Sequence, residues 1–416
     1  GCNSSHEKFN AVSVEAGTRW LEAYHQVTGK NGRYVQGGGC TTVGAAGGFL
    51  QGGGFGSWSK KFGTAAANLL EVEVVTADGK ILVANSCQNQ DLFWALRGGG
   101  GGTFGVVTKA TMRTHPLPKF FGWLNGTIKA KSDEAYRELI KQFLSFYYES
   151  LGNENWGEQV KIKGDNSLEL SLAFQGLNEK DAKKIWRPFL TWIGKQSDKY
   201  VAETRFAVIP GRKMWDYQFI QTSFPSAIEI DKRLSQPQGQ YWWAGGDAEQ
   251  VSIFWYAYQS RWLPLRLFRQ SEVKQLTDAL FEGSRHWPIG IHFNKGQAGA
   301  SPEAVRLGRE TSINPELYKA AALVIIAAGG EGFPKLKGRE PDLKVGHAQK
   351  QNVMAAMRPL LKLTEEAGTY SNEADYFEPN WKNSFWGVNY QKLLDIKKHY
   401  DPSSLFTCHH CVGSED

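Results

Sequence analysis

The stretch YVQGGGCTTVGAAGGFLQGGGFGSWSKKFG, Tyr34 to Gly63, limits the fold more than any other part of the chain. A flexible spacer dilutes its glycines with polar residues. Here the glycines are interleaved with Val43, Phe49, Leu50, Phe55 and Trp58, side chains that need burial. Buried glycine-rich backbone means that something flat or charged lies directly against the main chain, where bare amides can donate to its oxygens and nitrogens. Cys40 is the one thiol on this loop and is placed to bond to that object.

A chain of 416 residues has room for two or three domains. A mixture of 41% hydrophobic and 22% charged residues is globular rather than disordered. The net charge of +6 is small for this size and no Lys/Arg block stands out, which argues against a nucleic-acid partner, because phosphate contacts demand clustered cations. The longest apolar run, Ala320 to Ala328, is half the ~18 residues that span a bilayer, so it reads as a core element and no membrane partner is expected. The five cysteines are Cys2, Cys40, Cys87, Cys408 and Cys411, an odd number that leaves one thiol over if the others pair. Asn3-Ser4-Ser5 and Asn125-Gly126-Thr127 fit the N-glycosylation pattern, and together with the cysteines they lead to the expectation of a secreted protein. The first residue is Gly1, and FNAVSVEAGTRWLEAYHQV reads as a strand (Ala11 to Glu15), a turn at Gly17 and a helix with Trp20, Leu21 and Tyr24 on one face. That is the middle of a domain, so a processed or truncated product is expected.

Up to about Pro118, strand signals alternate with turns. Leu70, Val72 and Val74 alternate with Glu71 and Glu73, Asp78-Gly79 makes a hairpin turn into Ile81-Leu82-Val83, and a short helix starts at Asp91 and stops at Gly98. From about Lys119, helical patterns such as SDEAYRELIKQFLSFYYESL alternate with strand-like SLELSLAF and EQVSIFWYAY, which predicts helices over an antiparallel sheet. Near the end WGVNYQKLLDIKKHYDP is an amphipathic helix stopped by Asp401-Pro402.

Gly100-x-Gly102-x-x-Gly105 satisfies the dinucleotide-binding spacing, but a helix precedes it and strand-like TFGVVTKATMR follows, the reverse of the order that a nucleotide-binding turn needs. Walker, Gly-x-Ser-x-Gly and His-Glu-x-x-His signatures are absent. Four adjacent residues such as Cys408-His409-His410-Cys411 rarely close a tetrahedron around one ion, so a disulfide or two thiols is the better reading and no metal is expected. The aromatic runs Tyr241-Trp242-Trp243 and Phe254 to Tyr258 are expected in the core, with ligand stacking the alternative.

A flavin ring meets the demands of the glycine loop. GGGCTTVGAAGGFLQGGGFGSWSKKFGTAAANLLEVEVVTADGKIL, followed by DLFWALRGGGGGTFGVVT, resembles the second half of the PCMH-type FAD-binding domain in berberine bridge enzyme-like oxidases of the vanillyl-alcohol oxidase superfamily. YSNEADYFEPNWKNSFWGVNYQKLLDIKKHYDPSSLF resembles that family's C-terminal segment, and the two motifs stand in family order; between them only HFNKGQAGA carries a specific likeness. The resemblance implies an α+β fold: FAD-binding subdomain over 1–118, substrate domain over 119–375, and a C-terminal segment over 376–416 that returns to the flavin. The family's histidine anchor and its pyrophosphate-cradling half have no counterpart in this sequence, whose His6 and His25 lie in another context.

The same resemblance implies FAD, covalently held through the Cys40 sulfur, with Val43, Gly44, Gly47, Gly48, Gly53, Gly54, Asn68, Gly105, Val106, Val107, Asn389 and Tyr390 at the cofactor. Thr41 replaces a usual Pro, and Phe55 stands where Tyr is frequent. Val43 sits where a small side chain leaves space for oxygen, which favours an oxidase. The implied reaction takes a hydride from an alcohol-type carbon (carbohydrate, phenolic or alkaloid) and passes electrons to O2, giving H2O2. Tyr370 is the implied base, with Asn372 near the ring and Glu331 as the alternative base. A tyrosine base must come down from a pKa of about 10, and three units cost about 4 kcal/mol of phenolate stabilisation, from a cation or strong donor that the sequence does not identify. The competing classes are a non-enzymatic binding protein on a degenerate flavin fold and a metal-dependent enzyme using the Cys-His-His-Cys tail.

Overall fold

The structure, a computed structural model, describes residues 8–232, 239–245, 247, 253–333 and 335–415, with the side chain of Glu331 excepted. Cys2, the Asn3 sequon, His6, the first residues of EQVSIFWYAY and the Glu331 carboxylate therefore lie outside the described parts.

The first unit is a five-stranded antiparallel sheet built from β1 (Ala11–Glu15), β2 (Arg33–Val35), β3 (Leu69–Val75), β4 (Ile81–Asn85) and β5 (Val106–Pro116), in the order β1-β5-β3-β4, with β2 also on β5. Gly79, at φ 80°, supplies the left-handed residue of the β3–β4 turn, and its amide donates to the Thr76 carbonyl at 2.9 Å. The expected alternation in β3 holds for Val72 and Val74, which are buried, but fails at Leu70. A register shift lies between Leu69 and Glu71, so Leu69 takes the inward place and Leu70 is turned out. The short helix covers Gln90–Ala95, beginning one residue before Asp91, with Asn89 at φ 47° ahead of it.

The second unit is a seven-stranded antiparallel sheet ordered β12-β14-β13-β7-β8-β6-β9. Its strands are β6 (Phe120–Ala130), β7 (Trp156–Ile162), β8 (Ser167–Gln175), β9 (Tyr200–Pro210), β12 (Ile253–Pro264), β13 (Ile289–His292) and β14 (Ala320–Glu331). Between β9 and β12 lies a small pair, β10 (Ile228–Ile230) and β11 (Tyr241–Trp243). Helices Asp133–Phe146, Glu179–Gly194, Val273–Ser284 and Leu343–Leu361 bury their apolar stripes on this sheet. In the first of these, Ser132 caps the N-terminus by accepting from the Ala135 amide, and Tyr136, Leu139, Ile140 and Phe143 recur at helical spacing on the buried face. β14, the apolar run of the sequence, lies between β12 and β13, and its residues from Ala320 to Val324 are all buried.

Two segments cross onto the first unit. Met214, Trp215, Ile220, Ile228 and Tyr241 join its core, as do Phe385, Trp386, Leu393, Ile396 and Val412 of the C-terminal segment. Trp386 Nε1 donates to the Gly98 carbonyl at 3.0 Å. The buried Lys397, on helix Tyr390–Tyr400, pairs with buried Asp401 and donates to the carbonyls of Thr103 and Phe406. The tail is thereby bolted to the glycine turn 98–103.

Candidate active site

The loop that follows β2 is fastened along one side. The amides of Trp20 and Leu21 donate to the Val43 and Thr41 carbonyls at 3.0 and 3.1 Å, Ala45 donates to Thr18 at 2.8 Å, and Arg19 bridges Gly44. Tyr24 donates its hydroxyl to the Gly38 carbonyl at 2.6 Å. The glycines then fall into two kinds. At Gly44, Gly47 and Gly48, all exposed, an added Cβ would meet nothing within 4 Å, so no protein atom requires them to be glycine. At Gly53 (φ 129°) and Gly54 (φ 74°) the backbone itself demands glycine, and a Cβ at Gly53 would come within 3.5 Å of the Tyr370 ring.

Tyr370 and Asn372 come from the stretch after helix Leu343–Leu361 and close on this loop. The buried phenol oxygen of Tyr370 accepts from the Gly54 amide at 3.3 Å and from Asn372 Nδ2 at 2.9 Å, while Asn372 Nδ2 also donates to the Gly48 carbonyl at 2.9 Å. Phe55 packs edge-on to the Tyr370 ring with centroids 4.8 Å apart. A tyrosine of lowered pKa is not what surrounds this phenol: burial first, then the Glu373 charge, push it up, and the two hydrogen-bond donors only partly oppose them. No cation is among the groups acting on it. Glu373 is instead ion-paired with Lys295.

Cys40 is outside any disulfide and half-buried, whereas Cys87, Cys408 and Cys411 are disulfide-bonded. Burial, then the carboxylates of Asp247 and Glu158, push its thiol up to about 12, with Lys295 opposing them. Asp247 follows β11, and its Oδ2 accepts from Thr41 Oγ1 at 2.5 Å and from the Trp243 amide at 2.8 Å. Glu158 sits in β7 at φ 63°, a left-handed conformation that costs a non-glycine residue about 1 kcal/mol or more, and it accepts from Ser57. None of Asp247, Glu158, Lys295 and Glu373 was singled out by the sequence. Only the stretches HFNKGQAGA, which contains Lys295, and YSNEADYF, which contains Glu373, carried a signal.

A cavity of about 740 Å³ opens beside Asn372 and Glu373, walled by Trp255, Tyr258, Tyr376 and Met354 and bounded by the turn at Gly100 and Gly101. The core reading of Phe254 to Tyr258 is therefore corrected: β12 is the edge strand of its sheet, and Trp255, 47% exposed, and Tyr258 face the cavity. Of the run 241–243, Tyr241 is buried and both tryptophans are half-buried. Cys408 and Cys411 form a disulfide at the cavity rim, where His409 stacks on Tyr376 with centroids 3.8 Å apart. Among the described residues no cluster suited to a metal ion occurs.

The remaining expected cofactor residues are placed differently from one another. Asn68 is fully buried: Nδ2 donates to the Phe62 and Thr64 carbonyls, and Oδ1 meets His115 Nε2 at 2.7 Å, so its amide serves the fold. Gly105 packs against the Val75 carbonyl, Val106 is exposed and Val107 buried. Asn389 Nδ2 donates to the Ser312 and Ile313 carbonyls, and the Tyr390 hydroxyl meets Glu415, so both are held within the protein. What fits a flavin is the loop from Gly39 to Gly48: bare backbone, fastened behind, open in front, with a half-buried thiol at one end and Asn372 at the other.

Residues 4–85 match the FAD binding domain family and residues 369–413 the berberine and berberine-like family. The FAD-linked oxidoreductase easE of Arthroderma benhamiae is 33% identical over 425 residues, covering 97% of this chain and 75% of that protein. The VAO-type flavoprotein oxidase VAO615 of Thermothelomyces thermophilus is 30% identical over 409 residues, covering 97% of this chain and 64% of that protein. Several such relatives are spanned to only 62–66% of their length. Among solved structures, the VAO-type flavoprotein MtVAO615 of Myceliophthora thermophila C1 superposes with a TM-score of 0.75 at 29% identity, over 97% of this chain and 67% of that one. Glucooligosaccharide oxidase of Acremonium strictum, whose FAD is 6-S-cysteinyl and 8α-N1-histidyl, superposes with a TM-score of 0.71 over 98% of this chain and 79% of that one; at 22% identity it shows the α+β fold alone.

Proposed function

The chain belongs to the berberine bridge enzyme-like, FAD-linked oxidoreductases, and on that premise we propose that it is an FAD-dependent oxidase acting on an alcohol-type small molecule: a carbohydrate, a phenolic or an alkaloid. Bound FAD supplies the two-electron acceptor for a hydride leaving the substrate carbon and passes the electrons to O2, giving H2O2. Gly44, Gly47 and Gly48 offer the bare face for the ring system, Cys40 the sulfur for a covalent bond, and Val43 the small side chain beside it. The Acremonium oxidase with its 6-S-cysteinyl FAD supports the assignment of Cys40.

Tyr370 receives the substrate's hydroxyl proton as its phenolate, having first given its own proton to solvent. Its two donors, Gly54 and Asn372, stabilise the negative charge that the phenol oxygen carries before the transfer, and they are preorganised before substrate arrives. The aromatic cavity beside Asn372 holds the substrate ring and keeps water from it. The observation that carries this reading is the Asn372 amide, which joins the Tyr370 phenol to the Gly48 carbonyl on the open loop. It puts a proton-handling group and a ring-binding surface in one hydrogen-bonded unit. Secretion accords with the Cys408–Cys411 disulfide and with Asn125, exposed in β6.

The test is direct. Protein produced with FAD is expected to be yellow, to keep its colour through acid precipitation, and to release peroxide with a member of an alcohol and sugar screen; Tyr370→Phe keeps the colour and loses the peroxide. A colourless protein that still binds a carbohydrate or a partner overturns the oxidase in favour of a binding role.

A further inference from the structure

We propose that Asp247 is the proton acceptor for Cys40 when its sulfur is joined to the flavin ring, a role that makes attachment a reaction catalysed by this protein itself. The inference rests on the reading of Cys40 as the attachment point.

The Asp247 carboxylate is 1% exposed. Thr41, the neighbour of Cys40, and the Trp243 amide both hold its Oδ2, which locks the group beside the thiol. Its Oδ1 is buried and has no hydrogen-bond partner among the described residues. Thr41 and Trp243 ask only for an oxygen acceptor, which the amide of asparagine would provide. Among the described residues the negative charge and the second oxygen serve no contact of the fold, and a buried acceptor left unmet costs about 1–3 kcal/mol. A transferable proton is what that oxygen lacks.

The neighbouring groups leave Asp247 as the acceptor with capacity. Glu158 also bears on Cys40, but accepts from Ser57 and feels Lys295; Lys295 is engaged by Glu373; Tyr24, the remaining titratable group facing the thiol, donates to Gly38. With the thiol pushed up to about 12, a preformed thiolate is scarce at neutral pH, on the order of one part in 10⁵. The proton must leave as the sulfur attacks.

In that step the S–H bond of Cys40 breaks, its proton passes to Asp247, and a bond forms from Sγ to an electron-poor ring carbon. That carbon then sheds its hydrogen as a proton, leaving the ring reduced by two electrons. Molecular oxygen takes up the two electrons and two protons as H2O2, so thiol, ring C–H and O2 give thioether and peroxide.

The experiment compares wild type, Asp247→Asn and Asp247→Glu, each produced with FAD, by the mass of the Cys40 peptide and by acid-stable colour. It also follows the pH dependence of Cys40 alkylation by iodoacetamide in flavin-free protein. Asp247→Asn is expected to slow attachment at least tenfold at neutral pH, and Asp247→Glu to restore much of it. Alkylation is expected to move the other way: without the carboxylate the thiolate forms more easily, and the midpoint falls by about one pH unit or more. A purely structural role for Asp247 does not produce these opposed changes. Asp247→Asn that attaches flavin as fast as wild type overturns the inference alone. A wild-type Cys40 that gains no mass overturns the attachment reading and the inference with it. If neither variant folds, wild-type alkylation decides: a midpoint in the ordinary thiol range shows that no carboxylate bears on the sulfur and overturns the inference.

Discussion

Lys60, on the one-turn helix Ser59–Phe62 that follows the glycine loop, drives its ammonium into the second unit and donates to the carbonyl of Ala298 at 2.7 Å. The carbonyls of Gly296 and Ala321 accept from the same nitrogen, and the side chain is fully buried with no carboxylate paired to it among the described residues. Burial lowers its pKa to about 7, whereas the unfolded lysine titrates near 10.4. Between those values the unfolded chain binds the proton and the folded one does not, so this group makes stability rise with pH from about 7 to about 10.4, and contributes no slope below 7. Lys60→Met, which takes the ammonium from the Gly296 and Ala298 carbonyls and leaves Ala321 to the Tyr147 hydroxyl, is expected to cost about 1–3 kcal/mol at neutral pH. Urea unfolding of both proteins from pH 6 to pH 10 checks it: the difference must widen as pH rises.

The proton-handling unit can be dissected. Tyr370→Phe is expected to lower kcat by roughly 10²–10⁴ with flavin content unchanged, the range for loss of an acid–base group. Asn372→Ala removes one of the two donors and the tie to Gly48, and is expected to cost about tenfold, or 1.4 kcal/mol. Because burial and Glu373 raise the phenol, kcat of the wild type is expected to climb with pH rather than to plateau near neutrality. Stopped-flow reduction of bound flavin measures all three.

The two kinds of glycine predict opposite phenotypes. Gly44→Val, at a site with free space and ordinary backbone, is expected to leave the thermal midpoint unchanged and to abolish flavin retention. Gly54→Ala, at φ 74° with a Cβ that would lie 2.7 Å from Ala65 Cβ, is expected to destabilise the fold by about 1–3 kcal/mol. Differential scanning fluorimetry with flavin absorbance separates them.

Lys397 and Asp401 form a buried pair that also binds the turn at Thr103. Asp401→Asn leaves the ammonium uncompensated and is expected to cost about 3–5 kcal/mol. Equilibrium unfolding of the variant gives the value. Limited proteolysis is expected to cut first near the turn 98–103.

What the sequence made legible was local. Gly79 announces its turn, Ser132 its helix, and the tail's apolar spacing its amphipathic helix, because each depends on neighbours a few residues away. The glycine loop was legible because bulky apolar residues among glycines leave few ways to satisfy both. Leu70 was misread because a register shift is set by the partner strand β5 rather than by β3 itself. Asp247 and Glu158 went unseen for a stronger reason: each acts on Cys40 from more than a hundred residues away, through strand packing that no short motif encodes. The aromatic run of β12 was assigned to the core because edge position belongs to the sheet, not to the segment.

Because Tyr370 and Asn372 lie some 330 residues after Cys40, the order of synthesis matters. A ribosome delivers the sulfur-bearing loop first and the residues that close it only some 330 residues later, and the same later ribbon carries Trp386, which fastens the turn at Gly98. A half-made chain therefore lacks the Tyr370–Asn372 pair, and the oxidase chemistry we propose is withheld until the scaffold that would contain it has been laid down.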